Sequence, residues 1–172
     1  GRERGITAEL VREFERWYNT RERKRLEGRP LSVVLIPTTR DQLLPRLVAG
    51  KLDVAAGNLT STIERRRQAD FIVLGGIGAI SEIIVTGPGA PPLQSIDDLS
   101  GKTVGVDTAS TGDIWATENT PKLKIAKISR YEGLAPAMLD LAAGRIDGYV
   151  SDIPAVEYYI KDKPQYRVAA RI

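Results

Sequence analysis

The chain has 172 residues, of which 42% are hydrophobic and 27% charged, with a formal net charge of +3. These are globular values that fit one ordinary domain or two small lobes and exclude a disordered chain. Cysteine and histidine are both absent, which excludes disulfides, thiolate nucleophiles, Cys/His metal sites and a Ser-His-Asp triad.

Two Trp, two Phe and six Tyr are few aromatics, so an aliphatic core is expected. No run of about 18 apolar residues occurs, and no membrane-spanning helix is expected. No signal peptide is visible, so an exported protein would be read here in its processed form. The first thirty residues interleave Arg12, Arg16 and Arg21 with Glu9, Glu13 and Glu22. That pattern reads as a solvated, salt-bridged helix face. It lacks the clean basic stripe that nucleic-acid binding would need.

Ile6, Leu10, Val11, Phe14, Trp17 and Tyr18 share one helical face, with Thr7 as a candidate N-cap. Residues 31–36 (LSVVLI) predict a buried strand that Pro37 ends. Thr38 or Thr39 opens a helix that closes at Gly50, and Pro45 inside it predicts a late start or a kink. Residues 52–56 predict a strand, 58–62 a polar turn and 62–69 a helix, with Ser61 and Glu64 at capping-box spacing. Residues 71–78 are apolar and glycine-rich, and 80–86 predict a strand. The Gly/Pro-rich stretch 87–92 marks a lobe boundary. Beyond it come a turn at 95–99 and strands at 102–106, 124–128, 146–150 and 166–170. Helices are expected at 110–119, 133–143 and 154–161. Alternating strands and helices predict a mostly parallel sheet.

One block recurs. Ala49-Gly50-Lys51-Leu52-Asp53 matches Ala143-Gly144-Arg145-Ile146-Asp147 at a constant offset of 94 residues. Each follows an amphipathic stretch and precedes a short apolar run. A unit of helix, glycine, strand and polar end is used twice, which predicts two α/β lobes, residues 1–86 and 87–172, with a cleft between them.

Ligands of open α/β sheets bind at the carboxyl ends of strands, and three places meet that description. The first is the turn Asn58-Leu59-Thr60-Ser61-Thr62 with Arg65 after it. A helix start attracts anions and a guanidinium grips a carboxylate with two bonds, although capping by Ser61 with Arg65 in solvent reads equally from local sequence. The second is Ser110-Thr111-Gly112-Asp113, again anion site or plain cap, where Gly112 would admit a ligand close to the backbone. The third is Asp152, onto which the offset maps Asn58. It serves either as a partner for an ammonium group or as the N-cap of the next helix.

At these residues the chain resembles the type II periplasmic solute-binding proteins that bind polar amino acids. The stretch LVAGKLDVAAGNLTSTIERRRQADF is similar to the first lobe of that family. LSGKTVGVDTASTGDIWATEN and DLAAGRIDGYVSDIPAVEYYI are similar to its second. The resemblance implies that Thr60 and Arg65 hold the ligand carboxylate. It implies that Asn58 receives the amino group through its backbone, that Ser110 and Thr111 form the second-lobe helix start, and that Asp152 pairs with the ammonium. A second resemblance, in GITAELVREFERWYN, LIPTTRDQLLPRLVAGKLD and SEIIVTGPGAPP, is to the solute-binding-like module of membrane-bound lytic transglycosylases of the F type. Set against the family pattern, an incomplete first lobe is expected: no strand is read before the first helix, and residues 72–76 stand where the family has a Ser-x-Pro-Tyr-like turn.

The expectation is a non-enzyme that closes on an amino acid or short peptide outside the cytoplasm, needing no cofactor or metal. Its partner would be a membrane transporter, or a cell-wall enzyme domain if the module senses muropeptides. An enzyme on the same fold would need an acid or base in the cleft, for which Asp152, Asp113 and Glu118 are the candidates.

Overall fold

Five strands of five residues each build one mixed sheet in the computed structural model, which describes residues 5–73, 81–90 and 93–172. They are β1 (Glu82–Thr86), β2 (Thr103–Asp107), β3 (Lys127–Tyr131), β4 (Gly148–Asp152) and β5 (Arg167–Arg171). Their order across the sheet is β3-β2-β4-β1-β5. β2 runs parallel to β3 and β4, while β1 runs antiparallel to both β4 and β5. The sheet is therefore mixed, with two of its four pairings parallel, where a mostly parallel sheet was expected. The linking strand expected with residues 1–86 lies inside it, between β4 and β5.

Alternation along β1 explains the core. Ile83 and Val85 join one buried cluster with Met138, Leu141 and Tyr149, and Ile84 points to the other face with Val104, Val106 and Val150. Successive side chains of a strand face opposite sides, so both faces of the sheet are covered. Helix α6 (Leu134–Ala142) and helix α7 (Ile153–Ile160) cover one face. Helix α5 (Thr111–Leu123) and a 3-10 turn (Ile96–Leu99) cover the other. These elements follow the predicted order, with α5 running on past Pro121 and β3 starting three residues later than expected.

The first half is helical: α1 (Ile6–Arg21), α2 (Arg23–Leu26), α3 (Arg40–Val48) and α4 (Ile63–Arg66). Among the described residues no strand precedes β1, so the strands expected at 31–36 and 52–56 do not form. The reason is visible at 31–33. Leu31 N–H donates to Asn19 Oδ1 at 2.7 Å, Asn19 Nδ2 donates to Leu31 O at 2.8 Å, and Val33 N–H donates to Glu15 Oε2 at 2.6 Å. Side chains of α1 take the backbone groups that a neighbouring strand would use. Val34 and Val54 are left 76% and 74% exposed, which corrects the reading of 31–36 as buried. Residues 74–80, within the apolar run and the strand expected at 80–86, lie outside the described residues, as do 91–92 of the linker.

Local caps also differ. α1 is preceded by Gly5 rather than Thr7, and α4 is capped by Thr62 rather than Ser61, whereas α3 follows Thr39 as expected and continues through Pro45.

The repeated block closes both helices in the same way. Gly50 (φ 67°) and Gly144 (φ 69°) take the left-handed conformation that glycine adopts at little cost. In both copies the glycine N–H bonds three residues back, to Leu47 and Leu141. The next N–H bonds five back, Lys51 to Arg46 and Arg145 to Asp140. Only the second copy goes on into a strand.

Candidate functional site

The topology gathers carboxylates at one end of the sheet. β2 and β4 are parallel and end at Asp107 and Asp152. β1 is antiparallel, so its first residue, Glu82, pairs directly with Asp152. Three acidic side chains thus stand at the carboxyl ends of the parallel strands, where ligands of such sheets bind.

The first half meets this edge through two residues singled out from sequence. Asn58 Nδ2 donates to Asp152 Oδ2 at 2.7 Å, across the 94-residue offset of the repeat. Arg65 is 8% exposed and donates from one terminal nitrogen to Thr60 O and from the other to Ala109 O, both at 2.9 Å. Its guanidinium spans the two halves of the chain, which rules out the reading of Arg65 as a solvent residue. Burial, with Arg40 nearby, lowers its pKa.

The remaining predicted residues hold the frame. Ser110 Oγ accepts the Asp113 N–H at 3.0 Å and caps α5. Thr111 Oγ1 donates to Glu82 Oε1. Thr60 contributes its carbonyl to Arg65. Asp152 is an acceptor in both senses that the sequence left open: Oδ1 caps α7 through the Ala155 N–H at 3.2 Å while Oδ2 takes Asn58. α4 has four residues, too short for the anion-attracting helix end expected there. Gly112 serves packing: a Cβ there would lie 3.0 Å from Val150 Cγ1 and 3.4 Å from Glu82 Oε2. Of the candidate acids, Asp113 is engaged by Arg130 Nε at 3.0 Å and by the Ala109 N–H at 3.1 Å, and Glu118 is exposed.

Four residues at the site were missed. Arg40 opens α3 and donates to Asn58 O at 2.7 Å, with its other terminal nitrogen 3.9 Å from Asp107 Oδ2. The signal lay in the repeat, whose offset sets this arginine against Leu134. Glu82 and Asp107 are the others on the edge, and burial raises the pKa of both. The fourth is Tyr149, fully buried on β4. Its hydroxyl and Asp107 Oδ1 are buried without a well-formed hydrogen bond, yet each lies close enough to shift the other's titration. For Tyr149 burial is the main cause of a raised pKa, with Asp107 second.

Comparison with known proteins finds relatives over most of the chain. The chain is 32% identical over 122 residues to the lysine/arginine/ornithine-binding periplasmic protein of Escherichia coli, covering 70% of this chain and 46% of that protein. It is 29% identical over 136 residues to a probable histidine-binding protein of Campylobacter jejuni, covering 78% and 50%. The solved structure of holo ArgBP from T. maritima superposes with a TM-score of 0.74 at 26% identity, over 96% of this chain and 66% of that one. An ancestral arginine-binding protein bound to arginine gives 0.72 at 27% identity, over 86% and 65%. The chain is a homologue of the amino acid-binding periplasmic proteins. No protein-family profile matches it. This homologue spans about half the length of the relatives it matches in sequence. It has the mixed α/β sheet of the periplasmic binding-protein fold and covers about 65% of the solved structures it matches. The relatives are binding proteins by name, in accord with a non-enzyme, and they lend no support to the lytic-transglycosylase resemblance.

Proposed function

We propose that this chain supplies part of an amino acid-binding cleft, in a protein that works outside the cytoplasm with an ABC-type transporter for uptake or sensing. The observation that carries the reading is the pair of contacts across the gap. Arg65 reaches Ala109 O and Asn58 reaches Asp152, and the family resemblance nominated Arg65 for the carboxylate end of an amino acid and Asn58 and Asp152 for its amino end.

The chemistry follows from what each contact exchanges. A ligand carboxylate replaces the Thr60 and Ala109 carbonyls on the Arg65 fork, gaining charge at a site already shaped for two parallel bonds. A ligand ammonium replaces the Asn58 amide on Asp152, turning a neutral donor into a charged one. Ser110 and Thr111 hold the α5 start beside Ala109. The ligand touches both halves, so it favours the closed arrangement by the difference between its contacts in the closed and open states. No base or nucleophile is required. Because the sequence relatives carry amino acid names, a free amino acid is the ligand we expect.

Isothermal titration against the twenty amino acids tests this. Saturable binding of at least one, lost in an Asp152→Ala variant that still folds, is the expected outcome. No heat of binding across the whole panel would refute it.

A further inference from the structure

Arg40 stands where helix electrostatics disfavour it. It is the first residue of α3, and a cation at a helix start opposes the positive end of the helix dipole. The corresponding residue of the second repeat is Leu134. Its guanidinium instead lies over the acidic edge of the sheet, on Asn58 O at 2.7 Å and near Asp107 at 3.9 Å. Its side chain is 26% exposed and that of Asp107 14%.

We infer that Arg40 is a specificity-determining residue of the cleft, a tethered cation that occupies the acidic edge and thereby sets the charge of the ligand side chain the cleft accepts. The inference rests on the binding role proposed above. A tally of charges leads to it. Arg65 matches a ligand carboxylate and Asp152 matches a ligand ammonium, which leaves Glu82 and Asp107. Glu82 accepts the Thr111 hydroxyl. Asp107 has Arg40 as its cation at 3.9 Å, and the fully buried Tyr149 hydroxyl lies beside the same carboxylate. The Asp107 carboxylate is therefore the position on the edge that Arg40 holds. With Arg40 in place that position is already neutralised. Without it, Asp107 is open to a cation carried by the ligand.

The test compares the native sequence with Arg40→Gln and Arg40→Lys by isothermal titration with L-arginine, L-lysine and L-glutamine. Every ligand carries the same α-carboxylate and ammonium, so the ratio of affinities isolates the side-chain charge. Glutamine at position 40 keeps a donor for Asn58 O and guards against simple loss of structure. Arg40→Gln is expected to shift the ratio toward the cationic ligands by about tenfold, on the order of one unit charge acting across a partly solvated gap. Arg40→Lys is expected to bring it back. Binding with an unmoved ratio overturns this inference alone, whereas no binding by any of the three proteins overturns it together with the binding role.

Discussion

Replacing Arg65 with alanine removes both 2.9 Å bonds from its guanidinium, to Thr60 O and Ala109 O. Hydrogen bonds to a charged donor contribute about 1.5–3 kcal/mol each. Against this stands the cost of keeping a largely buried guanidinium out of water, the main cause of its lowered pKa. The net loss of stability is therefore expected to stay below about 3 kcal/mol, and the variant should fold. Binding should suffer more. Truncating one partner of a buried charged pair costs about 2–5 kcal/mol, which is about thirtyfold to a few thousandfold in Kd. Arg65→Lys keeps the charge but not the fork and should fall between. Isothermal titration with the best ligand of the panel, beside urea unfolding monitored by circular dichroism, separates the two effects. A folded Arg65→Ala protein that binds within twofold of the native sequence would refute the reasoning.

Asn58→Asp sets a second carboxylate against Asp152 in place of the 2.7 Å amide contact. Repulsion should widen the gap at low salt and relax as added salt screens it; small-angle scattering with a radius equal to that of the native sequence at both ionic strengths would count against the contact. Glu82 has a raised pKa through burial, so its protonated form is the one the fold favours. That contribution is complete below the ordinary glutamate value and is lost as pH rises through the raised one. Urea unfolding should then find Glu82→Gln more stable than the native sequence at pH 7, with the gap closing toward pH 4; coincident curves at both would contradict this. Ile84 is fully buried within β1, and Ile84→Ala should cost about 2–5 kcal/mol in urea unfolding; a loss below about 1 kcal/mol would show that β1 is not central to the sheet.

The second half was largely legible because its signals are local. Helical periodicity marks α6, Ser110 and Asp152 cap the helices that follow them, and β-branched runs mark β1 and β2. The first half was not, because a strand exists only by its partners. The run 31–36 has strand composition, yet Asn19 and Glu15 of α1 take its backbone groups. The site divides in the same way. The repeat offset paired Asn58 with Asp152, and the contact between them is direct. Glu82 begins its strand, and only an antiparallel pairing carries a first residue to the carboxyl edge. Asp107, Tyr149 and Arg40 likewise become neighbours through sheet order and helix placement, which no local pattern reports.

The central claim is that one amino acid is held between the 58–65 turn and the sheet edge at Asp107 and Asp152. Amide chemical-shift mapping by nuclear magnetic resonance during titration with L-arginine, and with L-glutamine in parallel, addresses it directly. The account predicts saturable shifts concentrated at Asn58, Thr60, Arg65, Ala109, Thr111 and Asp152. Shifts confined to other surfaces, or none at millimolar ligand, would contradict it.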